Sequence, residues 1–198
     1  MNREQGISTT VTGEKRRYYH PIQKEYATFL KTSGETGGEF AFIEIEVAPD
    51  GGTPPHYHKT YDEHFEVLDG VLEVTLGKEK RILRPGQKAV APKNTRHCFH
   101  NPTGETTTFL VELRPGKTGF EKAIKAGYGL AEDGRDRRTE GFVKSLYQLA
   151  VLLEWSEIRF AGVLGLIEPA FRLLAKRARR KGIDRDLEAE YCLEGDIS

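Results

Sequence analysis

Three histidines and one glutamate in this chain have the types and spacing to hold a metal ion. The stretch GGTPPHYHKTYDEHFEVLDG sets His56 and His58 two residues apart. On an extended backbone both side chains then leave from the same side. Glu63 opens the next strand-like run, and His97 stands at the start of a later one, in PKNTRHCFHN. Neutral imidazoles with one carboxylate suit a borderline divalent transition metal: Fe, Mn, Ni, Zn or Cu. On an octahedral ion, four protein ligands leave two positions for substrate, water or dioxygen.

The elements that must position these residues are strands. From Ala41 to Val47 the apolar residues Ala41, Ile43, Ile45 and Val47 alternate with Glu44 and Glu46. A period of two with a charged second face is a half-buried strand. Similar runs cover Glu63 to Leu68, Val71 to Leu76, Arg81 to Leu83, Lys88 to Ala91, Cys98 to Asn101 and Thr106 to Leu113. Turn residues separate them, among them Asp69-Gly70, Gly77, Pro85-Gly86 and Asn101-Pro102. Many short strands at close, even spacing predict a sandwich or barrel.

The residues around the four candidate ligands resemble the cupin family. In the first motif, His56-Tyr57-His58 is followed by four residues, Glu63, six residues and Gly70. In the second, Gly86, Pro92, His97 and Asn101 fall in register. Asp50 and Asn94 occupy positions where the family carries glycine; Asn tolerates positive φ, so the second turn survives. The resemblance covers roughly Gly38 to Pro115 and, by general pattern, a strand around Tyr26 to Leu30. It implies a mainly β fold: a double-stranded β-helix (jelly-roll) barrel around one divalent metal ion held by His56, His58, Glu63 and His97. Asp62 fits an alternative ligand spacing, but Glu63 stands at the family's distance from Gly70.

Strand parity sorts the remaining residues. His64 and His100 are offset by odd numbers from Glu63 and His97 and point to the opposite face. Cys98 also points away and reads as a small buried hydrophobe. Phe65 and Val67 share the face of Glu63, and Phe99 that of His97. With the inward row from Ala41 to Val47, Phe109 and Val111 complete an apolar pocket wall of the kind that holds a small organic molecule. No Arg or Lys is placed inside, which argues against a sugar phosphate. Cupins with this ligand set include dioxygenases, decarboxylases, isomerases and epimerases, and the resemblance permits an enzyme of any of these kinds. The competing class is a non-catalytic binding or sensor protein. A second titratable group beside the metal discriminates between them. Tyr61 and Glu66 are the candidates, and sequence alone places neither inside.

Residues 1–116 are expected to form the barrel and 117–198 a helical extension packed on it or on a dimer partner. Thr118 to Tyr128 reads as a short helix and Glu132 to Arg138 as a surface loop. Glu140 to about Phe160 reads as a helix, apolar nearly all round. A second helix opens at Glu168-Pro169 and stops at Gly182. Its basic residues, Arg172, Lys176, Arg177, Arg179, Arg180 and Lys181, gather near the C-terminus, where the helix dipole favours them. We read this helix as a structural appendage, with Phe171, Leu173 and Leu174 packed inward. The rival reading is a membrane-surface anchor. Thirty basic and thirty acidic residues give no formal net charge, which argues against a nucleic-acid partner. Cys98 and Cys192 do not make a disulfide scaffold. The polar MNREQGISTT start lacks the apolar stretch of a signal peptide. The expectation is a cytoplasmic homodimer with free thiols.

Overall fold

The computed structural model describes residues 16–134, 142–160 and 166–192. Nine strands come first: β1 (Arg17–His20), β2 (Glu25–Lys31), β3 (Ala41–Val47), β4 (Asp62–Asp69), β5 (Leu72–Leu76), β6 (Glu79–Leu83), β7 (Lys88–Ala91), β8 (His97–His100) and β9 (Thr107–Arg114). They form two antiparallel sheets, one ordered β1-β2-β3-β9-β4-β7 and the other β6-β5-β8. This is the double-stranded β-helix barrel.

Alternation decides which face turns inward. Ala41, Ile43, Ile45 and Val47 are buried while their neighbours are half-exposed. Register then stacks apolar pairs on one face, with Ile45 opposite Phe109 and Phe65 opposite Val111. Phe29, Phe65, Leu72 and Phe109 fill the interior, each contributing about 1.5–3 kcal/mol through removal from water. Asp50 and Asn94, which stand in glycine positions, both adopt the left-handed conformation, with φ +60 and +67. Asx side chains tolerate that region, so both turns keep their shape.

Four helices follow. α1 (Thr118–Glu132) lies against β1, and Glu121 anchors it by accepting the Ser33 N–H at 2.5 Å. Phe120, Ala123, Ile124, Gly127 and Tyr128 recur at helical spacing and turn one face of α1 toward the barrel interior. Its other face packs with α2 (Phe142–Trp155), α3 (Glu168–Arg180) and α4 (Ile183–Tyr191) around Ala126, Val151, Ala178 and Leu187. Gly119 permits the approach of α1 to α2, since a Cβ there would lie 2.5 Å from the Trp155 carbonyl oxygen.

Several expectations need correction. The helix read as continuing to Phe160 ends at Trp155. Glu157 turns left-handed at φ +55, and Arg159 then forms a two-way backbone bridge with Tyr57, at 3.0 Å each way. That bridge competes with further helix and wins. α4 follows Gly182 where only a stop was read. Leu173 is exposed rather than packed inward, while Phe171 and Leu174 are half-buried. Cys98 is half-buried, not a core residue. Glu132 closes α1, and the rest of the loop through Arg138 lies partly outside the described residues, as do the N-terminal ten residues and Glu140. Among the described residues, no helix is long and apolar enough to cross a membrane.

Candidate metal centre

His56, His58, Glu63 and His97 meet inside the barrel, with one potential ligand atom from each lying within 4.8 Å of all the others. All four are buried. Three local structures bring them together. The extended segment carrying His56 bridges to β8 through reciprocal backbone bonds between His56 and His97, at 2.9 and 2.7 Å. Glu63 is an inward residue of β4. The Pro92–Thr95 turn backs His58, whose carbonyl accepts the Asn94 N–H at 2.6 Å.

The hydrogen bonds fix the tautomer of each imidazole. His56 Nδ1 lies 2.7 Å from the Pro54 carbonyl and His97 Nδ1 2.9 Å from that of Thr95. A carbonyl only accepts, so both rings donate from Nδ1 and leave Nε2 bare. Tyr61 donates its hydroxyl proton to the Ser156 carbonyl at 2.7 Å. Its oxygen therefore accepts from His58 Nδ1 at 2.6 Å, and His58 Nε2 is bare too. Such outer partners orient metal-ligating histidines.

These bare nitrogens have no donor to meet them. His58 Nε2 is buried without a hydrogen-bond partner and lies 3.8 Å from Glu63 Oε2. His97 Nε2 lies 2.7 Å from the same oxygen. A lone pair facing a carboxylate at that distance requires a cation or a proton between them. Burial would raise the Glu63 pKa, but the His97 hydrogen bond and the three imidazoles outweigh it and hold Glu63 at about 2. Burial lowers His58 to about 3 and lowers His56 as well. At His97 burial also works against the charge, but Glu63 prevails and the pKa is raised. Near neutral pH the cluster thus presents a carboxylate with neutral His56 and His58, while Glu63 favours the proton on His97 that a divalent cation would displace. It fits a divalent metal ion.

A cavity of about 280 Å³ adjoins the cluster, with His56 and Glu63 in its wall. Ile43, Ile45, Phe99 and Val111 line it from the barrel, and Phe120, Ile124, Leu152 and Phe160 from the helical side. No Lys or Arg is among the described residues that line it. Phe65, Val67 and Phe109, expected in the wall, are packed in the core below it. His64 is half-buried and His100 exposed, outside the cluster. Glu66 faces outward to Lys88, at 2.8 Å. Tyr61 is inside, 1% exposed, and burial keeps its hydroxyl well above its usual pKa.

Glu25 and Tyr128 were not anticipated. Both are buried, both line the cavity, and Tyr128 donates its hydroxyl proton to Glu25 Oε1. Glu25 was legible in principle, as the one charged member of the inward row Glu25, Ala27, Phe29. Tyr128 was not, because its direction depends on how α1 packs.

A jelly-roll barrel with a buried histidine–carboxylate cluster at its centre defines the class. The chain carries a cupin domain: residues 43–112 match that family. It is 32% identical over 121 residues to quercetin 2,3-dioxygenase of Bacillus subtilis, covering 61% of this chain and 35% of that protein. It is 38% identical over 80 residues to protein SchB of Streptomyces halstedii, covering 40% and 56%. The chain thus spans about a third and about half of these two relatives. The solved structure of KdgF from Halomonas sp. matches with a TM-score of 0.46 at 21% identity, covering 51% of this chain and 87% of that one.

Proposed function

We propose that this chain holds one divalent transition-metal ion through His56, His58, Glu63 and His97, and acts as an oxygenase-type enzyme on a small, largely apolar organic molecule in the adjoining cavity. The observation that carries the metal is the bare, buried Nε2 of His58, whose other nitrogen is already committed to Tyr61. A bound ion supplies a Lewis acid with open coordination positions. The chain supplies the rest. His56 and Glu63 present the centre to the cavity, and apolar side chains exclude water. The absence of Lys and Arg from the described lining disfavours phosphorylated substrates. Similarity to a quercetin 2,3-dioxygenase supports oxygenase chemistry over isomerisation. In this reading residues 1–116 form the metal-holding barrel and 117–198 an extension that completes the cavity.

Elemental analysis of chelator-free protein is expected to find about one transition metal per chain. His58→Ala is expected to lose most of that metal while the barrel stays folded, and His100→Ala to keep it. Wild-type protein that neither carries nor takes up a transition metal overturns the proposal. With metal present, failure to consume dioxygen with any hydroxylated or unsaturated small molecule moves the reading to non-catalytic ligand binding.

A further inference from the structure

The cavity wall holds a second polar group, built from the barrel and the helical extension together. Glu25 opens β2 and is 2% exposed. Its Oε1 accepts from Tyr128, on α1, while its Oε2 is buried with no hydrogen-bond partner. An acceptor left bare in such a site costs free energy until a donor meets it. The neighbours do not supply one. His20 packs its ring edge-on against Tyr128, at 4.9 Å between centroids, and its Nδ1 accepts the Gln23 N–H at 3.0 Å. The remaining wall is mostly apolar.

We propose that Glu25, held by Tyr128, is the specificity-determining residue of this cavity and binds an uncharged molecule through a hydroxyl group, which donates its hydrogen bond to Oε2. This rests on reading the cavity as the ligand site. Hydroxyl is the fitting donor because an ammonium group would have to desolvate its charge among apolar side chains, and a cation bound to the adjacent cluster would repel it. The carboxyl is suited to that bond. Burial raises its pKa, the Tyr128 hydrogen bond only partly offsets this, and the value stands at about 7. Tyr128 remains a hydroxyl because burial and then the Glu25 charge push its pKa well above 10. Above about pH 7 the group is a carboxylate, and with Oε1 committed to Tyr128, Oε2 is then the free acceptor.

The test uses 2-naphthol and its methyl ether, 2-methoxynaphthalene, which differ in the donor alone. Both are titrated calorimetrically into the full chain, with and without added metal. At pH 8, where the carboxylate form of Glu25 prevails, wild-type protein is expected to bind 2-naphthol about tenfold more tightly than the ether, the value of one hydrogen bond to a charged group. In Glu25→Gln, Tyr128 keeps the amide oxygen and the amide N–H₂ faces the cavity, so the preference is expected to vanish. Tyr128→Phe removes the hydrogen bond that lowers the carboxyl pKa, so it is expected to weaken the preference at neutral pH and provides a second readout if Glu25→Gln is unstable. Equal binding of the two probes by wild type, no binding of either, or an unchanged preference in both variants overturns the inference. Metal content measured on the same samples keeps the proposals apart. A normal metal complement without the preference sinks only this one; the preference without metal sinks only the metal reading.

Discussion

At the residue scale, the centre depends on a hydroxyl that touches no ion. Tyr61 links His58 to the Ser156 carbonyl and thereby holds His58 with Nε2 bare. Tyr61→Phe keeps the ring stacked on His58, with centroids 4.3 Å apart, but removes the link. The His58 Nδ1 proton and the Ser156 carbonyl then lose their shared partner, at a cost of about 1–3 kcal/mol. Metal affinity is expected to drop by about 10–100-fold, as for other outer partners of ligating histidines. Competition with a chromophoric chelator measures it; an unchanged affinity removes Tyr61 from the centre. Glu25 has a different signature. Its folded-state pKa of about 7 lies above the ordinary 4.5, so the fold favours the protonated form. Its contribution is complete below about pH 4.5 and is lost as pH rises through 7. Glu25→Gln cannot ionise. Thermal melts are expected to match wild type near pH 5, with the variant the more stable by up to about 3 kcal/mol above pH 8. Parallel pH profiles for the two proteins would show that Glu25 is not buried as described.

At the element scale, the turn between β7 and β8 supports two candidate ligands, through Asn94 N–H to the His58 carbonyl and the Thr95 carbonyl to His97 Nδ1. Asn94 sits at φ +67, where glycine is unstrained and alanine is not. Asn94→Ala is expected to destabilise the chain by about 1 kcal/mol, and Asn94→Gly to be neutral or better. Urea unfolding distinguishes them, and equal losses would mean that φ is not the determinant. This turn also illustrates what the sequence carries. Its residue types and its distance from His97 are local, so the four-residue cluster and the strands were legible from spacing and parity. The end of α2 was not. Ile158 and Phe160 prolong the apolar pattern, and only the distant Tyr57, through its bridge to Arg159, stops the helix. α4 was hidden because IDRDLEAEY buries only Leu187 fully. Glu25 was legible as the charged member of an inward row, but its partner Tyr128 was not, because no local pattern encodes how α1 packs.

At the scale of the molecule, the extension is both a cover and an exposed surface. Its basic helix is partly neutralised: Arg172 pairs with Glu168 at 2.5 Å and Arg179 with Glu154 at 2.7 Å. Together with zero formal net charge, this supports the structural reading of α3 over a membrane anchor. Between α2 and α3 lies a second cavity of about 470 Å³, lined by Leu149, Ile167 and Phe171 among others. Leu149 is 41% exposed and Ile167 45%. The free edge at β6 carries Glu79, Lys80 and Arg81, charges of the kind that block sheet-to-sheet pairing. A homodimer is therefore expected to form through the helices, where apolar surface is open, and not through that edge. Two-fold symmetry would set the same α2–α3 face of each copy against the other. Light scattering at micromolar concentration is expected to report twice the monomer mass. Ile167→Glu is expected to shift the protein toward monomer while leaving metal content unchanged, because Ile167 lines the α2–α3 face and lies outside both the centre and its cavity. A monomeric wild type, or a dimer indifferent to Ile167→Glu, would exclude this interface.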